Sequence, residues 1–145
     1  MQRPLGRARA FASVARCVGG QRDTGILAAP FAHANIVDGS FESPVVPAGS
    51  FTDFASGSQF GPGNCWTVVG AGSVSIVSGT FTQGGITYGA AAGAQWLDLT
   101  GSSSNSVTGV QQTWPTTAGQ SYKVKFAVGA ITTPSEVKVM STTGS

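Results

Sequence analysis

Hydrophobic and polar residues alternate with a period of two in several short segments of the chain after Asn35. In segment 121–128 the even positions are aromatic or aliphatic, whereas two of the odd positions are lysine. This pattern predicts a strand with one face against a core and the other in solvent. The same reasoning predicts four further strands, at 73–77, 95–99, 110–114 and 136–140.

The segments between these strands are rich in turn-forming residues. The longer run 44–64, with several Gly, Ser and Pro residues, predicts a loop, and no segment carries the apolar stripe of a three-turn helix. Regularly spaced short strands in 145 residues predict a single all-β domain, an antiparallel β-sandwich. Turns are expected at 61–64, 83–85, 101–104 and 116–119. The side chains expected in the core are Phe41, Trp66, Trp96, Val124, Phe126 and Val128.

The composition narrows the class of protein further. The chain has 21 glycines, 10% charged residues and 41% hydrophobic residues. These values exclude a disordered polyelectrolyte, and they do not suit a helical bundle with charged outer faces. No run of about 18 uncharged apolar residues occurs, so the sequence predicts no transmembrane span.

The positive charge is concentrated at the start of the chain. Five of the eight basic residues are arginines that lie before residue 23. From Asn35 onward the chain has three lysines, five carboxylates and no arginine. Because nucleic-acid affinity depends on neutralising phosphates with basic side chains, we expect no nucleic-acid partner.

Residues 1–34 resemble a secretory leader. The early arginines suit a positive first region, segment 25–32 is a short apolar region, and Ala32-His33-Ala34 fits a small-x-small cleavage site. We expect cleavage between Ala34 and Asn35, with the domain at 35–145 secreted, extracellular or in the cell envelope. The alternative is a tail without a targeting role.

Cleavage at that position would leave few residues that could act as catalytic groups or as zinc ligands. It would remove His33, the only histidine, and leave Cys65 as the one cysteine. No base would then remain to activate a serine or cysteine nucleophile, and the zinc ligand set would be incomplete. Glycosidases need two carboxylates across a cleft, but Asp98 is expected to be exposed or to bond a turn. We therefore expect no enzyme.

Four motifs in order carry a family resemblance. They are Asn35–Pro44 (NIVDGSFESP), Cys65–Val69 (CWTVV), Gln95–Gly101 (QWLDLTG) and Gly109–Thr113 (GVQQT). The first resembles the opening of galactose-binding-like jelly-roll domains, which include many carbohydrate-binding modules. Together the four resemble the secreted β-sandwich family known as domain of unknown function 642. The resemblance implies a galactose-binding-like jelly roll.

Members of that family continue for several strands beyond the position of Ser145. The resemblance therefore implies a sandwich that is incomplete at its C-terminus. An incomplete sandwich leaves a sheet edge open, and open edges pair with other chains, so self-association is expected.

The resemblance also implies one metal ligand. In several carbohydrate-binding jelly rolls the glutamate of the opening motif holds a structural calcium, and here that residue is Glu42. The alternative is that Glu42 is solvated or bonds a backbone amide.

Carbohydrate contacts combine aromatic rings with a few polar groups that orient the sugar. The candidate residues are Trp114 and Tyr88 for stacking, and Gln111 and Gln112 for hydrogen bonds to hydroxyls. We therefore expect a secreted, non-catalytic module that binds polysaccharide or cell-wall glycan. The alternatives are a structural or adhesive surface protein without sugar specificity, and a degraded fragment without function.

Overall fold

The computed structural model describes residues 10–13, 36–102, 107–118, 120–130 and 137–141. Within these residues the regular structure consists of strands and one 3-10 turn, Pro62–Asn64, and no helix is long and apolar enough to cross a membrane. The strands are β1 (Ala10–Ser13), β2 (Phe51–Ala55), β3 (Gln59–Phe60), β4 (Trp66–Gly70), β5 (Ser73–Ser78), β6 (Phe81–Gln83), β7 (Ile86–Tyr88), β8 (Gln95–Asp98), β9 (Thr108–Gln111) and β10 (Ala127–Ala130).

The strands form two main sheets and a separate hairpin. The larger sheet has the order β10-β1-β8-β5-β2, and the smaller has the order β3-β4-β9. The hairpin consists of β6 and β7, and every pairing in the three units is antiparallel. The prediction of an all-β fold with antiparallel sheets is therefore confirmed.

The main core lies between the two sheets. The smaller sheet contributes residues that alternate inward along its strands, such as Trp66 and Val68 on β4. The larger sheet contributes Val74 and Ile76 from β5 and Leu97 from β8. Because residues of both sheets share one apolar cluster, the two sheets form the layers of a β-sandwich. Phe41, Val46 and Phe60 complete the buried set.

A second, smaller core lies on the opposite face of the larger sheet. Val77 and Trp96 face each other across β5 and β8 and are buried under Phe81 and Tyr88 of the hairpin. The hairpin turns at Gly84 and Gly85, which both have positive φ, as a two-residue hairpin turn requires. With both faces covered, every residue of β5 and β8 is buried. The expected burial of Phe41, Trp66 and Trp96 is confirmed.

The predicted loop at 44–64 was wrong, because it contains β2 and β3. Phe51–Ala55 pairs with β5 along its whole length, and Gln59–Phe60 pairs with β4. The glycines and serines around them hide the alternation, yet Phe54 and Phe60 pack against each other with ring centroids 4.8 Å apart. The aromatic residues outweigh the low strand propensity of their neighbours.

The predicted strands near the end of the chain are shorter than expected or not formed. Of the first, predicted at 121–128, only Ala127 and Val128 lie in a strand, which continues to Ala130. The described residues 137–140 of the second belong to no strand. The predicted burial of Val124, Phe126 and Val128 was also wrong, because their exposed fractions are 40%, 39% and 48%. Within the described residues the smaller sheet has three strands and packs against β5 and β8, so its cover does not extend to β10.

The N-terminal segment contributes one described strand. β1 lies within the predicted leader and pairs with both β8 and β10. The predicted cleavage site, between Ala34 and Asn35, lies outside the described residues, and so does His33.

Candidate functional site

The outer face of the smaller sheet presents a row of uncharged polar side chains. Along β4, Trp66 and Val68 point into the core, so Thr67 between them points outward. Thr67 is opposite Gln59 of β3 and opposite Gln111 of β9. Gln59, Thr67 and Gln111 therefore form one line across all three strands, here called the polar row.

The polar row offers several hydrogen-bonding groups to solvent. Gln59 and Gln111 are exposed and Thr67 is half-buried. The Gln59 Nε2 atom lies 3.4 Å from the Thr67 Oγ1 atom and donates a long hydrogen bond to it. Two amides and one hydroxyl can both donate and accept, which suits the hydroxyl groups of a sugar.

A small apolar patch lies beside the polar row. Val69 is the next outward residue of β4, and it is opposite Gly109 of β9. Gly109 has no side chain, so the sheet surface is flat at this point. A flat apolar patch beside polar groups can accept the C–H face of a sugar ring.

Gly70 ends β4 next to this patch and allows a close approach of the chain. Its φ is 98°, and a Cβ atom there would lie 2.1 Å from the carbonyl oxygen of Val107. No other residue fits between β4 and the start of β9 without displacing one of them. The glycine therefore helps to hold the two strands in the register that aligns Thr67 with Gln111.

Gln112, which was predicted to bind a sugar, forms hydrogen bonds within the protein instead. Its Oε1 atom accepts the backbone N–H of Val37 at 2.8 Å, and its Nε2 atom donates to the Val37 carbonyl at 3.0 Å. The side chain thereby joins the opening segment of the domain to the end of β9. Gln112 acts as a link between two parts of the fold.

The two predicted stacking residues lie apart from each other in the fold. Trp114 is half-buried, three residues beyond the end of β9. Tyr88 is half-buried on the hairpin, where its ring centroid lies 6.5 Å from that of Trp96. The hairpin covers the face of the larger sheet that points away from the smaller sheet. The structure thus places Gln111 in the polar row and Tyr88 elsewhere.

Glu42 bonds backbone amides. Its Oε1 atom accepts the N–H groups of Ala94 and Gln95, each at 3.0 Å. Gly93 lies so close that a Cβ atom there would be 2.1 Å from the same oxygen. In the described part of the chain no three His, Cys, Asp or Glu side chains come together. Of the two expectations for Glu42, the structure shows the bonding of backbone amides.

Asp38 organises the turn that precedes Glu42. Its Oδ1 atom accepts the N–H of Glu42 at 2.8 Å, and its Oδ2 atom accepts the N–H of Ser43 at 3.3 Å. The Trp66 indole N–H donates to the Asp38 carbonyl at 3.1 Å. Burial raises the pKa of Asp38, and the two amide hydrogen bonds oppose that shift.

Cys65 is half-buried beside this turn. Burial raises the pKa of its thiol, and the nearby Asp38 carboxylate raises it further. A raised pKa keeps the thiol protonated and weakens it as a nucleophile. Cys65 therefore behaves as a small apolar residue of the core margin, against which it packs.

Gln95 is the polar residue that sequence reasoning missed. It is buried, and its Oε1 atom accepts the N–H of Val46 at 2.5 Å. Its Nε2 atom donates to the carbonyl oxygens of Phe41 at 2.7 Å and Pro44 at 3.0 Å. One amide thus satisfies three backbone groups of the segment that leads into β2. The signal in the sequence was a glutamine at the start of a strand with apolar neighbours.

Asp98 also has a structural role, because it stabilises the turn after β8. It is buried, and its Oδ1 atom accepts both the N–H of Thr100 at 2.9 Å and the Thr100 hydroxyl at 2.8 Å. Of the two alternatives expected for Asp98, exposure or a bond to a turn, the structure shows the bond to a turn. A carboxylate enclosed in this way does not face a cleft, as a glycosidase acid would.

Comparison with known proteins adds no relative. No family model, curated protein or solved structure matches this chain. We therefore infer the function from the residues and the geometry of this protein.

Proposed function

We propose that the protein is a secreted, non-catalytic module that binds polysaccharide at a cell surface or cell wall through the outer face of its smaller sheet. The polar row would hydrogen-bond sugar hydroxyls, and the flat apolar patch at Val69 and Gly109 would contact the apolar face of a sugar ring. Binding would involve no bond chemistry.

The observation that carries this proposal is the alignment of Gln59, Thr67 and Gln111 across three strands. The strands fix the spacing of the three backbone positions, so only the side-chain rotamers need to be ordered on binding. The row carries no charge, which suits a neutral polysaccharide. The resemblance of the four motifs to secreted jelly-roll domains points to the same class of ligand.

The leader-like segment 1–34 supports the proposed location. If the chain is exported, material recovered outside the cell should begin at Asn35, and N-terminal sequencing reads that residue directly. A secreted form that begins at Met1 would contradict the cleavage.

The binding test uses the double variant Gln59→Ala/Gln111→Ala. A net loss of about 1 kcal/mol per hydrogen bond predicts a roughly tenfold or larger rise in Kd. A panel of soluble and insoluble polysaccharides, screened by pull-down and measured by calorimetry, identifies the ligand and the affinity. Gln120→Ala is the matched control, because Gln120 is exposed and lies outside the smaller sheet. Equal affinity of the double variant and the control would place the binding elsewhere.

A second candidate function is adhesion or self-association through the end of the larger sheet. Val124, Phe126 and Val128 are exposed there, and they form what is here called the apolar edge patch. Within the described residues β10 pairs with β1 alone, so its other edge offers free backbone groups.

A further inference from the structure

β1 is an interior strand of the larger sheet, although it lies in the leader-like segment 1–34. It lies between β8 and β10 and runs antiparallel to both. β8 and β10 are therefore parallel to each other, and a strand of the opposite direction must separate them for the sheet to stay antiparallel. That strand comes from segment 1–34, which the proposed processing would remove.

A second stretch of the chain has the sequence of a strand but belongs to none. Segment 136–140 alternates charged and apolar residues. In the structure the described residues 137–141 are outside every strand, and the exposed fractions of Val139 and Met140 are 58% and 84%. This is a costly arrangement for two large apolar side chains in water.

The direction of this stretch suits the gap beside β8. Residues 131–136 separate it from the end of β10, a length that is usual for a short connection between two elements. A chain that reverses after β10 runs antiparallel to β10 and so antiparallel to β8. That is the direction in which β1 now runs.

The register of β1 shows which residues would meet. Pairing of Val137 with Ala130 would place Val139 opposite Val128, at the position that Ala12 holds. Val139 would then lie opposite Leu97, which is fully buried in the main core.

At the position next to Val139, Lys138 would form an opposite-charge pair with Asp98. Lys138 would take the place of Phe11, which is opposite Asp98. An opposite-charge pair across neighbouring strands is favourable. The alternation in 137–139 therefore matches the side of β8 that each residue would meet, with the two valines toward the main core and the lysine toward the carboxylate.

We infer that residues 137–140 form the strand between β8 and β10 in a chain without residues 1–34, and that β1 holds this position in a chain that keeps them. The inference rests on the processing step of the proposed function and is independent of the sugar ligand. In the full chain the two stretches compete for one place in the sheet.

The test compares hydrogen exchange in chains 1–145 and 35–145. The amides of 137–140 should exchange at least about tenfold more slowly in the shorter chain, because central strands are protected from local opening. Val139→Pro should remove that protection and lower the Tm of chain 35–145 by about 5 °C or more, while changing the Tm of the full chain little. Val139→Ile keeps an apolar β-branched residue and should preserve the protection. Conversely, Ala12→Pro should lower the Tm of the full chain.

Three results with these variants and chains would overturn the inference, and a fourth comes from dilution. They are unchanged exchange at 137–140 in chain 35–145, an equal effect of Val139→Pro on both chains, and the absence of a cooperative melt in the shorter chain. Protection that disappears on dilution would assign the gap to a strand of a second copy and would also overturn it. N-terminal sequencing tests the natural processing separately, so a chain that keeps its first 34 residues would count against the proposed function without changing these results.

Discussion

At the scale of single residues, polar side chains stabilise the irregular opening of the domain. Residues 36–50 contain no strand, yet their backbone groups bond Asp38, Gln95 and Gln112. A buried backbone group without a partner costs about 1–3 kcal/mol, so each of these side chains replaces a part of the sheet ladder. Glu42, which lies in this opening segment, likewise accepts the backbone N–H groups of Ala94 and Gln95.

The contact between Glu42 and Gly93 predicts a large effect from a small substitution. Gly93→Ala should destabilise the domain more than Gly57→Ala, by about 1–2 kcal/mol of unfolding free energy. Both glycines have positive φ, at 78° and 82°, so the backbone strain is similar. Only at Gly93 would the new Cβ atom meet a neighbour, the Glu42 carboxylate, since Gly57 has no atom within 4 Å.

Urea denaturation of the two variants measures the difference. In a Glu42→Ala background the extra cost of Gly93→Ala should fall, because the obstructing carboxylate is gone. Equal costs at the two glycines in the original background would show that the loop simply moves aside.

At the scale of elements, the hairpin of β6 and β7 is held to the larger sheet mainly by aromatic contacts. Trp96 is buried beneath it, and the indole N–H donates to the carbonyl of Gly79 at 3.0 Å, just before β6 begins. The hairpin has its own turn and its own pairing. Its attachment can therefore be weakened without loss of the hairpin turn itself.

We expect Trp96→Ala to lower the unfolding free energy by about 3–5 kcal/mol and to release the hairpin locally. Hydrogen exchange at residues 81–88 should quicken more than at β3 and β4. Phe41→Ala removes a comparable buried ring from the main core, where it packs 5.3 Å from Trp66, and is the matched control. Similar exchange profiles for the two variants would show that the two cores unfold together.

The elements also show where sequence reasoning succeeds. The strands at 73–77 and 95–99 were predicted correctly, because strong local patterns coincide with burial on both faces. The predicted strand at 121–128 has an equally clear alternation, but only its last two residues belong to a strand, Ala127–Ala130. Alternation reports which side chains suit a core, whereas the sheet that would cover them is set by distant parts of the chain.

The candidate site was predicted in part for the same reason. Gln111 was identified from its motif, but Gln59 and Thr67 were not. Their alignment with Gln111 depends on pairings between strands that are distant in sequence, and one of those strands was expected to be a loop. The engagement of Gln112 with Val37, 75 residues away, could not be read from either segment alone.

At the scale of the whole molecule, the unequal sizes of the two sheets leave apolar surface uncovered. The apolar edge patch lies at the end of the larger sheet, beyond the cover of the smaller one. Such a patch next to a strand edge favours contact with other chains. The uncovered surface also lowers the free energy gained on folding.

We therefore expect the chain to be marginally stable and to associate in a concentration-dependent way. Light scattering should show a mass that grows with concentration, and Val128→Lys should reduce this growth by adding charge at the edge. Val107→Lys is the matched control, because Val107 is exposed outside the patch. A monomer at every concentration, with a cooperative melt above about 65 °C, would contradict both expectations.

The bond between Gln112 and Val37 has a consequence for the order of events during synthesis. Val37 lies three residues after Ala34, so this clamp ties down the chain just beyond the proposed cleavage site. Gln112 is made 75 residues later than Val37. On a chain that is exported as it is synthesised, a peptidase would reach Ala34 while its surroundings are still extended. Folding would then hold the new N-terminus against β9, so we expect cleavage to precede folding and the mature end to be protected afterwards.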